Sequence, residues 1–212
     1  MKIFTIELSS RFGSMALISE GNVAAEESWE ENFRNRRQLF DAMEAMRIDW
    51  DTVDCFAAGR GPGAFSGMRI GFSVVNSLAA PAGKPVYALN SGAAIAAQAG
   101  AARSAVVGDA RRGKVWAGLF SGSALEEEYQ LLDADELSGF IPPDIPVFSP
   151  DSDRLAELLA GFRTPDDGKP VYPSAGRLGQ LVFQRMKAGV ESEPFEPLYM
   201  HPPVFVEPRF PA

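Results

Sequence analysis

The chain opens with loosely alternating apolar and polar residues, which is the pattern of β-strands. Residues 2–8, 14–19 and 23–31 each show this period and are rich in β-forming side chains. The turn-forming residues 9–13 and Gly21-Asn22 separate the three runs. The first part of the chain therefore predicts a three-stranded meander.

The hydrophobic period becomes helical within residues 36–47. Leu39, Phe40, Met43 and Met46 recur at the spacing of one helix face, with charged residues between them. This segment predicts an amphipathic helix.

A strand, a glycine-rich loop and a second helix follow. Apolar residues 53–59 predict the strand and residues 59–67 the loop. Residues 68–80 predict the helix, which Pro81 and Gly83 end.

The remainder of the chain continues this mixture of strands and helices. The predicted elements are a strand at 85–89, an alanine-rich helix capped by Ser91, strands at 104–109, 115–120, 126–132 and 147–148, and helices capped by Asp151 or Ser152 and by Ser174. The strands from residue 104 onward form a second meander that echoes the first. From residue 193 prolines are too frequent for a helix or a central strand, which predicts an extended tail. The order of elements predicts an α/β fold with a weak internal repeat.

Composition and charge narrow the classes of function. The 212 residues are 46% hydrophobic and 23% charged, as in an ordinary globular protein. The net charge of −8 disfavours unaided binding to nucleic acid, because such binding needs a basic surface. The single cysteine, Cys55, excludes a disulfide within the chain and fits the cytoplasm. The one histidine, His201, lies in the proline-rich tail, so neither a Ser-His-Asp triad nor a histidine- or cysteine-based metal site is predicted.

Two apolar stretches resemble membrane segments only superficially. Residues 2–8 are too short for an export signal. Residues 70–102 carry one charge, Lys84, but are interrupted by prolines, glycines and amides. They predict a buried helix, turn and helix rather than a membrane span.

The most distinctive local motif is the glycine-rich run at residues 59–71. It follows a strand and opens a helix, so backbone N–H groups there are placed to hold a phosphate. However, Met68 stands where a P-loop has lysine, and Pro62 and Phe65 do not suit a dinucleotide-binding turn. The alternative is a sterically constrained strand-to-helix turn, which the spacing alone favours.

A second motif lies between two predicted strands, at residues 109–114. Arg111, Arg112 and Lys114 place three cations in four positions, a pattern that is able to bind phosphate. The commoner alternative is a solvated hairpin tip.

The second helix is apolar on more than one side. Ile70, Val74 and Leu78 form one stripe, while Phe72 and Val75 lie elsewhere on the helix. Such a helix is either interior to its own domain or covers its sheet and also packs on another subunit.

Together these residues resemble the TsaB family, which contributes the dimerisation subunit of the bacterial machinery for tRNA threonylcarbamoyladenosine. That family, once filed among the M22 glycoproteases, has the pattern Gly-x-Gly-Pro-Gly-Ser/Ala-Phe-Thr/Ser-Gly-Leu-Arg-Ile-Gly. The matching positions of this first motif are Gly59, Gly61, Pro62, Gly63, Phe65, Ser66, Gly67 and Arg69. Asp109, Arg111, Arg112 and Gly113 match the family's Asp-Ala-Arg-Arg-Gly. Residues 197–201 are more loosely similar to its late Pro-x-Tyr-Leu-Arg.

The resemblance implies an actin-like (ASKHA, ribonuclease H-like) α/β fold with two lobes, the second reduced. The corresponding units are a first lobe at 1–102, a second lobe at 103–190 and a proline-rich tail at 191–212 that packs back on the body. Family members pair with the catalytic TsaD subunit through their first two helices, and often self-associate through the same face. The implied interface residues are Leu39, Phe40, Met43, Met46, Ile70, Val74 and Leu78.

The resemblance also implies a division of labour. A TsaB-type chain carries no catalytic residue, metal or cofactor of its own, and ATP and metal are expected in the partner subunits. The small ATPase TsaE is a further expected partner, tRNA is reached only indirectly, and no membrane partner is expected.

Two departures from the family pattern bear on the alternatives. Glu7-Leu8-Ser9 replaces the usual Asp-Thr-Ser after the first strand, and residues 35–38 lack the histidine that is common at the start of the first helix. The alternatives are an actin-like ATPase or kinase, an M22-type glycoprotease acting on its own, and a stand-alone homodimer with another binding role.

Overall fold

The protein is organised around two β-sheets. The computed structural model describes residues 1–31 and 37–202, and every structural statement below refers to that part of the chain. The first sheet consists of β1 (Lys2–Glu7), β2 (Phe12–Ser19), β3 (Asn22–Glu30), β4 (Cys55–Gly59) and β5 (Val86–Leu89). Its order is β3-β2-β1-β4-β5, with the first three strands antiparallel and β4 and β5 parallel to β1.

Helices α1 (Gln38–Met46) and α2 (Phe65–Ala79) cover one face of this sheet. Helix α1 lies over β2 and β3 and α2 over β1, β4 and β5, and both helices share a hydrophobic cluster with Phe4 and Ile6 of β1. Helix α3 (Ser91–Ala99) covers the other face, where Ile3 lies. The division follows from the period of two in a strand, which sends successive side chains to opposite faces.

The second sheet lies on the far side of α3. It consists of β6 (Arg103–Arg111), β7 (Lys114–Ser121), β8 (Ala124–Leu125), β9 (Gln130–Asp133) and β10 (Val147–Phe148). Its order is β10-β6-β7-β8, and β9 also pairs with β7. One face of this sheet packs on α3, and the other packs on the short helices α4 (Leu137–Phe140) and α5 (Ala156–Leu159).

The last helix, α6 (Ala175–Lys187), returns to the first sheet. It packs on β1 and β2 beside α3, with Leu178 and Val182 fully buried. Gly176 and Gly179 allow this approach, since a Cβ at Gly179 would meet Ile18 and Thr5. We refer to α3 and α6 as the inner layer and to α1 and α2 as the outer layer of the first sheet.

The structure confirms the predicted α/β class and the first strand meander. In the second meander the predicted strand at 126–132 is wrong, because β8 and β9 are separate short strands that each pair with β7, and residues 126–129 between them are not extended in the sheet. The second helix begins at Phe65 rather than at Met68, so the last part of the predicted loop is helical. Asn90 rather than Ser91 caps α3, because the Asn90 side chain accepts from the backbone N–H of Ala93.

Other differences concern the second half of the chain. Neither Asp151 nor Ser152 caps a helix: residues 151–155 form turns, and the helix begins only at Ala156. Ser174 does cap α6, by accepting from the N–H of Arg177. The division into lobes at 102/103 stays a prediction, although the return of α6 puts part of the predicted second lobe on the first sheet. Arg36 at the predicted start of the first helix and residues 203–212 of the predicted tail lie outside the described residues.

Candidate partner interface and the loops beside it

The glycine-rich loop is held by backbone contacts to neighbouring strands and turns. Arg60 N–H donates to Leu89 O at 3.0 Å, and Ala64 N–H donates to Ser9 O at 2.7 Å. A Cβ at Gly63 would overlap Ser9 O, and a Cβ at Gly67 would overlap the carbonyl oxygen of the residue before Ser9. Close backbone approach therefore accounts for these glycines without any bound phosphate.

Glu7 is enclosed beneath the same loop. Its Oε1 accepts from the N–H of Ser9 at 2.7 Å, and its Oε2 accepts from Ser91 Oγ at 2.7 Å. Ser91 Oγ in turn accepts from Gly61 N–H at 3.0 Å. Burial raises the pKa of the Glu7 carboxyl above its ordinary value, and the hydrogen bonds from Ser9 and Ser91 oppose this shift. The side chain is fully buried, so it ties the loop to the inner layer and reaches no open cleft.

The hairpin between β6 and β7 carries the second motif. Asp109 closes it by accepting from the N–H of Arg111 at 2.7 Å and from its guanidinium at 2.9 Å. Arg111, Arg112 and Gly113 all have positive φ angles, of 68°, 57° and 77°. Lys114 pairs with Asp133 at 2.8 Å. Two of the three cations therefore have carboxylate partners within the chain, and Arg112 is exposed at the tip.

The turn at residues 149–154 packs against this hairpin and contacts Asp109. Asp151 accepts from the N–H of Asp109 at 3.0 Å, and Arg154 lies 3.7 Å from the Asp109 carboxylate. Burial raises the pKa of the Asp151 carboxyl. The motif residues therefore form an internally paired corner of the second sheet.

Residues 191–202, which we call the terminal segment, are anchored by Glu193. Its carboxylate accepts from the backbone N–H of Asn90 at 3.0 Å and from the Asn90 amide at 2.8 Å. It also pairs with Arg60 at 3.6 Å and with Arg185 at 3.3 Å. Tyr129 completes the group by donating to Asn90 Oδ1 at 2.8 Å. Sequence reasoning missed this cluster because its members lie far apart in the chain and share no motif.

The terminal segment then contacts both motif loops. Phe195 packs on Phe72 of α2 with ring centroids 4.6 Å apart. The N–H of Leu198 donates to Arg60 O at 2.7 Å. His201 Nε2 lies 2.7 Å from Ala110 O in the β6–β7 hairpin. The described part of the tail thus runs from the first sheet across the glycine-rich loop to the second sheet.

The seven predicted interface residues divide into two groups. Phe40 is 64% exposed and Ile70 is 49% exposed. The other five are partly buried and pack on the core of the outer layer: Leu39, Met43, Met46, Val74 and Leu78. Of the seven predicted residues, the geometry therefore leaves one open on each outer helix.

The first motif adds to this open surface. Phe65 at the start of α2 is 55% exposed, and Ser66 and Arg69 are exposed beside it. The Arg69 guanidinium lies 5.3 Å from the centre of the Phe65 ring. The second motif, at residues 109–113, lies on the other sheet and is not part of this surface.

No metal-binding cluster accompanies these features. Residues 1–31 and 37–202 contain no group of three histidine, cysteine, aspartate or glutamate side chains placed to hold a metal ion. Two shallow hollows of about 470 and 460 Å³ lie beside the second sheet, around Pro142 and Phe148. Within the same ranges, no helix is long and apolar enough to cross a membrane.

The two-sheet arrangement places the protein in the actin-like fold class, and comparisons with known proteins agree. YeaZ from Pseudomonas aeruginosa is 27% identical with a TM-score of 0.72, covering 93% of this chain and 99% of that one. An uncharacterized protein described as similar to peptidase YEAZ from Pseudomonas aeruginosa is 26% identical with a TM-score of 0.74, covering 94% and 99%.

Sequence comparisons narrow the class further. The tRNA threonylcarbamoyladenosine biosynthesis protein TsaB of Escherichia coli (strain K12) is 26% identical over 191 residues, or 87% of this chain and 79% of that protein. The family model "TsaD: tRNA N6-adenosine threonylcarbamoyltransferase" matches residues 35–133. The resemblance to TsaB is confirmed over most of the chain.

Proposed function

We propose that this chain is a cytoplasmic, non-catalytic subunit of the tRNA N6-threonylcarbamoyladenosine machinery. It binds and supports a TsaD-type catalytic subunit, while ATP and metal are bound by partner subunits. A TsaE-type ATPase and a second copy of this chain are further partners in the proposal. With a net charge of −8, the chain contacts tRNA only through its partners.

The observation that carries the proposal is the open apolar side of the outer layer. Phe40 and Ile70 project from helices whose opposite sides already pack on the first sheet. Large apolar groups that are open to solvent beside small residues suit a protein interface, which uses such groups as its central contacts. Ser73 and Ser77 lie on the same exposed side of α2 and allow a partner helix to approach closely.

The family match supports the identity of the partner. The TsaD model covers residues 35–133, a range that contains α1 and α2. A TsaD-type protein is therefore expected to carry counterparts of both helices. Two related helix pairs are able to pack face to face around an approximate two-fold axis, as in an isologous interface.

The motif loops support a non-catalytic role. Glu7 is buried and hydrogen-bonded rather than directed at an open cleft, and the glycine-rich loop is occupied by the chain's own carbonyl groups. This geometry favours a scaffold over an enzyme that uses the loop to hold phosphate.

Light scattering after size exclusion tests the proposal, with this chain alone and then mixed with the TsaD-type protein of the same organism. We expect a new one-to-one species, and we expect Phe40→Glu and Ile70→Glu to abolish it. Val190→Glu is a matched control, because Val190 is 48% exposed but lies after α6, outside the outer layer. Unchanged complex formation by both outer-layer variants would rule out this interface.

A further inference from the structure

The terminal segment presents one aromatic ring beside the outer layer. Tyr199 is 47% exposed, and its ring centroid lies 5.0 Å from that of Phe65, with an angle of 33° between the ring planes. Both rings thus pack on each other and remain about half open to solvent. A contact of this kind covers neither ring fully, so it leaves a two-ring apolar surface at the start of α2.

This position of Tyr199 is fixed on both sides along the chain. Phe195 packs on Phe72, and the N–H of Leu198 donates to the carbonyl of Arg60. After Tyr199, His201 contacts Ala110 of the second sheet. Because the backbone is anchored before and after the ring, little conformational freedom remains to be lost when a partner binds there.

The charge next to the two rings completes the surface. Arg69 stacks on Phe65, one helical turn further along α2, and makes no ion pair with a carboxylate in the described ranges. Ile70 follows directly and belongs to the open apolar side of the outer layer. The two-ring surface is therefore continuous with the proposed interface and ends at the Arg69 guanidinium.

We propose that the terminal segment forms part of the partner-binding surface, with Tyr199 and Phe65 as a joint aromatic contact. This inference rests on the proposed function and extends it from the two outer helices to the end of the chain. The partner is the TsaD-type subunit, which is expected to offer an apolar groove for the two rings and a carboxylate for Arg69. Aromatic side chains with an adjacent arginine are the residue types that dominate binding energy at protein interfaces.

Calorimetric titration with the TsaD-type protein tests this surface on the full chain. We expect Tyr199→Ala and Phe65→Ala each to raise the Kd about tenfold. The double variant should lose less than the product of the two effects, because the rings act together. Tyr199→Phe keeps the ring and should bind like the unsubstituted chain, as should Val190→Ala, which removes an equally exposed apolar group elsewhere.

The outcomes separate this inference from the proposed function. Normal binding by Tyr199→Ala or by Phe65→Ala would overturn the role of the terminal segment, while the complex itself stood. If the unsubstituted chain formed no complex, the proposed function and this inference would both fall. Melting temperatures of the two single variants should stay within about 3 °C of the unsubstituted chain, because both rings are half exposed.

Discussion

Helices α1 and α3 are both nine residues long and lie on opposite faces of the same sheet, yet they are covered very differently. Six residues of α3 are buried, whereas α1 has none. The reason is position: α3 lies between the two sheets, while α1 is covered on one side only. The comparison teaches that apolar residues on α1 and α2 serve the core of this chain only in part, and that the rest are available to another protein.

Truncating one leucine in each layer should give the largest difference in the free energy of unfolding between the inner and the outer layer. Leu178 in the inner layer is fully buried, so Leu178→Ala removes packed atoms and leaves a cavity. We expect a loss of about 3 kcal/mol in the free energy of unfolding, measured by urea denaturation. Leu39→Ala in the outer layer removes a partly buried side chain and should cost about 1 kcal/mol. Equal losses would show that the two layers are equally packed.

A substitution at Gly59 should disturb the inner side of the sheet by overpacking. A Cβ there would overlap the carboxylate of Glu7 and meet Ser91 Oγ. We expect Gly59→Ala to cost about 2 kcal/mol, because neither neighbour has free space in which to move. Gly139→Ala is the control, since its added methyl group would meet no atom within 4 Å apart from its chain neighbours and the backbone of its own helix.

The double variant Glu7→Ala/Gly59→Ala shows whether the overlap is the cause. Removing the carboxylate makes room for the new methyl group, so the two costs should not add. Simple additivity would mean that Gly59→Ala acts through the backbone instead.

The sequence predicted those parts of the fold that depend on local periodicity. Alternation located β1 to β3, and the helical spacing of Leu39 and Met43 located α1. The prediction of Ser91 rather than Asn90 as the cap of α3 was wrong, because both residue types cap helices well and the local sequence does not separate them. Only the tertiary structure decides, since Ser91 Oγ is engaged by Glu7, 84 residues away.

Contacts between distant residues also explain what was missed at the candidate site. Glu193 joins Arg60 and Asn90 across more than a hundred residues, and no local pattern records such a contact. The helical period did place Phe40 and Ile70 on apolar stripes. Periodicity does not show what covers a stripe, so only the structure separates these two exposed residues from Met43, which packs on the core.

The buried Glu7, on the inner side of the first sheet, should make the free energy of unfolding of the protein depend on pH. Burial raises its pKa in the folded state above the unfolded value, so folding favours the protonated form. The contribution of Glu7 to the free energy of unfolding is fully present below the pKa of the carboxyl in the unfolded chain. It is lost as the pH rises through the pKa of the carboxyl in the folded protein. Glu7→Gln has the same shape and stays neutral, so it should become progressively more stable than the unsubstituted chain as the pH increases.

Denaturation of both proteins across a pH series measures this effect. Taking their difference at each pH removes the contribution of all other titrating groups that the two chains share. A constant difference would mean that Glu7 has the same pKa in the folded and unfolded states.

The smallest effect on the free energy of unfolding should come from Phe40, which is more exposed than Phe65 and Ile70, the other open apolar residues of the outer layer. Phe40 is 64% exposed, and glutamine is a good helix former, so Phe40→Gln should change the free energy of unfolding by no more than about 0.5 kcal/mol. Partner binding should nevertheless weaken strongly, since the same ring is a proposed central contact. Urea denaturation and calorimetric titration of one preparation measure both quantities. A large decrease in the free energy of unfolding would place Phe40 in the core of this chain and remove the difference between the inner and outer layers. Lost partner binding with an unchanged free energy of unfolding is what we expect of an interface residue.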